Sequence, residues 1–244
     1  MAAASSKAAS SKTAADAGSP FPQWVFAQTQ PTWPLFDYRR FRTLPGAAQR
    51  ETLYSSLMPW HHPATLEAFR AEFPEPAAVA RVYDLTAHVG VDTAFFLFFF
   101  PEARVVAVEL EAATARVLRR NGTEAARLFG RPPDAFRAVH GDGVAHLRAL
   151  KKEAHTLTKE TLIYFDPPWG GKGTDYSVAP PLGGVPLAAL VREALDKGAR
   201  VVVKVPPQVD AARFGAAVGR GGRPYPVRDE RKPEKTSYLL IAFA

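Results

Sequence analysis

From Ala77 onward, short unbroken apolar runs alternate with longer stretches whose apolar positions recur at helical spacing. The runs RVYDLT (81–86), RVVAVEL (104–110), FRAVHGD (136–142), TLIYFDPP (161–168), ARVVVKVPP (199–207) and SYLLIAFA (237–244) predict strands. Between them, DTAFFLFFF (92–100) predicts a helix or helix-like segment. EAATARVLRRNGTEAARLFG (111–130) predicts a helix interrupted at its middle and closing on Gly130. GVAHLRALKKEAH (143–155), PLAALVREALDKG (186–198) and VDAARFGAAVG (209–219) predict further helices. Strands that are apolar on both faces, alternating with helices, imply an α/β fold: a mainly parallel sheet covered on both sides.

The pattern changes upstream. Residues 1–19 are Ala/Ser/Lys-rich and lack large apolar side chains, so a disordered tail is expected. Residues 20–76 are rich in Pro and aromatics, with one short helix expected in TLEAFRAEF (65–73). They read as an extension packed on the core, with Trp24, Trp33, Phe41 and Trp60 as buried anchors or a wall of a substrate site. Residues 77–244 form the main domain.

Composition narrows the chemistry. The chain has 244 residues, a formal charge of +7 and no cysteine. Disulfides and thiolate metal sites are thereby excluded. His61 and His62 are adjacent, which is poor spacing for a shared metal, and no metal is expected. No apolar run is long enough to span a bilayer. The basic balance suits a polyanionic partner such as a nucleic acid.

In parallel sheets, ligands bind beyond the carboxyl ends of the strands. Acids stand at three such ends: Asp84, Glu109 (followed by Leu110) and Asp142 (followed by Gly143). Glu109 suits ribose hydroxyls and Asp142 an adenine amino group; together they describe a nucleoside pocket. Each alone is also a common helix cap. Thr86, Ala87, Gly90, Asp92 and Thr93 form the loop and helix start beside Asp84. That loop has a single glycine and no GxGxxG, which disfavours a dinucleotide. The ordered set matches the cofactor site of class I methyltransferases, which use S-adenosylmethionine and release S-adenosylhomocysteine.

The fourth strand delivers Asp166, Pro167, Pro168 and Trp169 to the same edge, followed by Gly170 and Gly171. The prolines hold the backbone extended and remove N–H donors, leaving acceptors at Asp166 and the Pro167 carbonyl. Such acceptors orient an exocyclic amine, and Trp169 offers a face for a base.

The segment DPPWGG with downstream Asp175 and Tyr176 resembles the trimethylguanosine synthase family, including cap methyltransferase-like proteins of large DNA viruses. The resemblance covers residues 77–205. It implies a Rossmann-like class I methyltransferase fold with a seven-stranded sheet, and S-adenosylmethionine as methyl donor. The implied target is the exocyclic N2 of a 7-methylguanosine RNA cap. Catalytic roles fall on Asp166, Pro167, Pro168 and Trp169, and cap contacts on Trp169, Gly170, Lys172 and Tyr176. Basic residues such as Arg39, Arg228 and Arg231 are candidates to meet cap phosphates, with a solvated surface role as the alternative for each. A monomer without membrane attachment, acting in the nucleus or cytoplasm, is expected. The chain departs from the family at His88 and Val91, where glycine is usual, and at Asp166, where many members carry serine. Asp166 is more typical of adenine-N6 enzymes, which stand as an alternative, as does a non-catalytic cap-binding module.

Overall fold

The computed structural model describes residues 62–150, 157–170, 174–175, 179–229 and 232–244. In chain order the elements are α1 (His62–Glu72), β1 (Arg81–Asp84), α2 (Val91–Phe99), β2 (Arg104–Glu109), α3 (Ala112–Leu128), β3 (Phe136–His140) and α4 (Gly143–Ala149). Then come β4 (Thr161–Phe165), α5 (Leu187–Asp196), β5 (Arg200–Val205), α6 (Ala211–Val218), β6 (Arg223–Asp229) and β7 (Lys232–Phe243).

The strands form one seven-stranded sheet in the order β3-β2-β1-β4-β5-β7-β6. The pairs β1–β2, β1–β4, β2–β3 and β4–β5 are parallel; β7 runs antiparallel to β5 and β6. Side-chain alternation divides the core in two. Leu162 and Tyr164 of β4, with Val202 of β5, face a cluster that includes the phenylalanines of α1 and α2. Ile163, Phe165, Val201 and Val203 face the apolar sides of α4, α5 and α6. Every residue of β4 is buried, so its apolar run has no polar face to show.

The α2 side is unusually aromatic. Phe69 of α1 meets Phe95 of α2 edge to face at 4.9 Å and Phe99 at 5.7 Å. Full burial of such side chains contributes about 2–3 kcal/mol each. This contact lays α1, the described part of the expected N-terminal extension, directly on the core.

The structure corrects three expectations and leaves part of a fourth outside the described residues. The helix over 111–130 is continuous through its centre. Gly122 sits there because a Cβ would lie 2.1 Å from the Phe136 ring of β3, and Asn121 donates its side-chain N–H to Val89 O at 2.8 Å. The helix expected over 143–155 is described only to Ala149; residues 151–156 lie outside the described residues. A strand was not expected over Arg223–Asp229, because Pro224 and Pro226 interrupt it. It is an edge strand paired with β7 alone, where missing N–H donors cost nothing. Finally, β7 starts at Lys232 rather than Ser237, since its polar first half pairs with that edge strand across a register shift. The tail, residues 20–61 with Trp24, Trp33, Arg39, Phe41, Trp60 and His61, and Gly171, Lys172, Tyr176 and Arg231 lie outside the described residues.

Candidate active site

The β4–β5 register decides the site. Phe165 pairs with Val203, so the next residue on each strand, Asp166 and Lys204, emerges at the sheet's carboxyl edge side by side. Lys204 Nζ donates to Asp166 Oδ2 at 2.7 Å. The same ammonium reaches Asp92 Oδ2, from the first turn of α2, at 3.4 Å. Tyr164 also donates its hydroxyl to Asp92 Oδ2, at 2.7 Å. The other Asp166 oxygen accepts from Trp169 Nε1 at 3.1 Å, and Asp166 N donates to Thr86 Oγ1 at 2.6 Å.

Lys204 gave no signal in the sequence: a single lysine in an apolar strand is an unremarkable residue. Its side chain is 2 % exposed, against 8 % for Asp166, and burying such a charge is tolerable only with opposite charges in contact. Burial alone would push the lysine down, but Asp166 and Asp92 outweigh it and hold the ammonium above its ordinary range. Burial raises the Asp166 carboxyl to about 7, and Lys204 only partly opposes that.

The loop after β1 forms the adjoining wall. Gly90 has φ +91°, and a Cβ there would lie 2.8 Å from the Leu118 side chain, so only glycine fits. His88 adopts φ +48°, a left-handed conformation that explains why glycine would suit its position. Thr86, Ala87, His88, Val89, Val91, Asp92 and Asp166 line a small cavity of about 40 Å³ that opens to solvent.

The three strand-end acids do not converge as expected. Asp84 is fully buried beneath the loop, where Thr93 Oγ1 donates to it at 2.7 Å and Thr86 N at 3.4 Å. Burial raises its carboxyl to about 8. Asp84 and Thr93 thus brace the loop from behind rather than line the cavity. Glu109 accepts from His88 N at 3.0 Å and Glu111 N at 2.8 Å, fixing the loop to the end of β2. Its oxygens retain lone pairs for a further donor. Leu110 beside it is 63 % exposed, an apolar face turned to solvent. Asp142 caps α4, accepting from Val144 N at 2.9 Å. Gly143 packs against Leu85 O, where a Cβ would stand 2.2 Å away.

In the opening motif Pro167 is buried and Pro168 exposed. Trp169 is half-buried against the α2-side core, its ring oriented by the bond to Asp166. Gly170 turns the chain back at φ +83°, with Thr174 at 2.5 Å from a would-be Cβ. Both Asp166 oxygens therefore already accept one internal hydrogen bond, a constraint the sequence did not reveal. Among the described residues no group of His, Cys, Asp or Glu could hold a metal ion, and no helix is long and apolar enough to cross a membrane.

A crystal structure of the S-adenosylmethionine-dependent methyltransferase from Agrobacterium tumefaciens superposes with a TM-score of 0.52. It is 14 % identical, over 77 % of this chain and 63 % of that one. The chain has the class I methyltransferase fold. Weaker likenesses include a methyltransferase of that type from Neisseria gonorrhoeae (TM-score 0.44, 18 % identity, 75 % of this chain and 70 % of that one). Human methyltransferase-like protein 13 in complex with SAH is another (0.47, 14 %, 75 % and 81 %). No protein-family model and no curated protein sequence matches the chain. In the class I methyltransferase fold the described loop and the DPPW segment occupy neighbouring strand ends, β1 and β4, at the centre of the sheet.

Proposed function

We propose that the protein transfers a methyl group from S-adenosylmethionine to an exocyclic amine of a nucleobase. The observation that carries this reading is the placement of Asp166. Its carboxylate is buried, lines the loop cavity and is held by Lys204 and Trp169 at the edge where this fold opens. The residues present fit the donor. The loop leaves a small cavity, Glu109 offers acceptors for ribose hydroxyls, and exposed Leu110 supplies an apolar surface for a purine. Asp142 stands at the next strand end.

When bound, the donor supplies an activated methyl on a sulfonium, so the protein's task is chiefly orientation. Asp166 and the Pro167 carbonyl accept from the amine's hydrogens and aim its nitrogen. Trp169 supplies a base-stacking face, with such stacking worth about 1–3 kcal/mol.

The finer reading is the N2 amine of a 7-methylguanosine RNA cap. The DPPWGG segment and the +7 charge support it. A cationic 7-methylated base would gain a cation–π contribution on Trp169. Residues 20–76 and the segment carrying Lys172 and Tyr176 would complete the cap site beside the 77–244 domain. The alternative, adenine-N6 methylation, is favoured by Asp166 standing where the cap enzymes often have serine. Labelled donor offered with 7-methyl-GTP, GTP and an adenine-containing oligonucleotide separates the readings. Label on the 7-methylated nucleotide alone supports cap methylation, and label on adenine supports the alternative. No transfer to any of them, with cap binding retained, supports a non-catalytic module.

A further inference from the structure

Two carboxylates and one ammonium meet at the cavity wall. Asp92 and Asp166 both line the cavity, and Lys204 stands between them at 3.4 Å and 2.7 Å. The other groups facing this point come from several elements. Tyr164 of β4 donates to Asp92, Trp169 donates to Asp166, and the Tyr238 ring of β7 lies 5.1 Å from Lys204 Nζ. Asp84 of β1 adds a further acid nearby that raises Asp166's neighbour Tyr164.

We propose that this cluster reads the charge of the donor: it favours the sulfonium of S-adenosylmethionine over the neutral thioether of S-adenosylhomocysteine, releasing a proton as the sulfonium arrives. The inference rests on the donor reading above. Donor and product differ by one methyl group and one positive charge. Beside two buried carboxylates, the charge is the stronger discriminator.

Asp166 is the member whose proton is in play. Its carboxyl titrates near neutrality, because burial opposes the charge that Lys204 favours. A cation in the cavity tips it to the carboxylate. Lys204 keeps that change within reach; without it, a buried carboxyl would hold its proton far above neutral pH.

The cycle then balances. The amine's lone pair forms the new N–C bond, the C–S bonding pair remains on sulfur, and the proton shed by the nitrogen goes to the Asp166 carboxylate. The neutral thioether is left facing a protonated acid, and that proton passes to solvent when the next S-adenosylmethionine replaces the product, which closes the cycle.

Isothermal titration of the full chain with each compound, at pH 6 and pH 8 and in buffers of different ionisation enthalpy, tests this by binding alone. The methionine amine and carboxylate are common to both ligands and cancel in the ratio. The preference for S-adenosylmethionine should rise about fivefold across that interval, the part of a one-unit pKa decrease from about 7 that falls between pH 6 and pH 8. Its binding near pH 7 should release about half a proton, and that of the product should release none. Asp166→Asn should flatten the preference, and Lys204→Gln should move its rise to higher pH. Lys204→Arg keeps the cation and should keep the rise, which guards against a variant that merely misfolds. A constant ratio in the unaltered chain, or a pH-dependent one in Asp166→Asn, overturns this inference while the donor reading stands. Binding of neither compound overturns both.

Discussion

Thr65 of α1 and Tyr238 of β7 are 173 positions apart, and their hydroxyls share a hydrogen bond of 2.9 Å in the protein interior. Tyr238's ring in turn lies beside Lys204. The helix that precedes the alternating fold is thus tied to the strand behind the candidate catalytic carboxylate. Thr65→Val keeps the shape and removes the hydroxyl. Chemical denaturation should show a loss of about 1–3 kcal/mol, the cost of a buried hydroxyl left without its partner. Donor affinity should be unchanged, because α1 does not line the cavity.

Trp169 has two separable attributes, a ring and an N–H held by Asp166. Trp169→Ala removes both and should lower kcat/KM for the base-containing substrate by about tenfold to a hundredfold, the value of one stacking contact. Donor binding by titration should remain nearly intact. Trp169→Phe retains a ring and should recover part of the loss. Equal loss of donor binding in Trp169→Ala would make the residue structural.

Lys204→Met leaves Asp166 and Asp92 buried without their ammonium. Breaking a buried pair in this way costs about 3–5 kcal/mol. Denaturation midpoints should fall accordingly. Adding Asp166→Asn to the same chain should restore part of the stability, since one buried carboxyl left without its partner is then gone. A double variant no more stable than Lys204→Met would show that the ion pair is not what the lysine stabilises.

The apolar runs and helical spacings were enough to place β1 to β5, since a strand buried on both faces leaves an unbroken signature. The edge hairpin was not legible. Arg223–Asp229 carries two prolines, and its partner begins with KPEKT, so neither has the apolar signature of a covered strand. At the site, Asp166 and Trp169 were conspicuous because their motif is rare. Lys204 was not, since its role comes from pairing register, a non-local property. Asp84 and Glu109 were correctly placed at strand ends. The sequence did not show that each is occupied by local backbone or hydroxyl donors, because spacing reports position and not hydrogen-bond partners.

Gly90→Ala tests the cavity loop. The φ of +91° strains any L side chain, and the new methyl would meet Leu118 at 2.8 Å. A residue forced into such a region costs about 1–3 kcal/mol. The loop should shift to relieve it, and affinity for donor and product should fall together. A chain that keeps both affinities would show the loop is not part of the binding wall.

Two carboxyls predict the pH dependence of stability. Burial raises Asp84 to about 8 and Asp166 to about 7, both from an ordinary value of 3.8. Between the unfolded and folded values the folded chain holds protons that the unfolded chain has lost. Stability therefore falls as pH rises through this window. The contribution of each group is fully present below about 4 and is gone above its folded value. Asp84→Asn mimics the protonated acid in shape and cannot ionise. The unaltered chain should lose stability relative to this variant as pH is raised from 4 to 9, with most of the change complete just above pH 8. Urea denaturation of both chains across that range measures the difference. A constant difference would mean that Asp84 is ionised in the fold, stabilised by Thr93 and the Thr86 amide strongly enough to offset its burial.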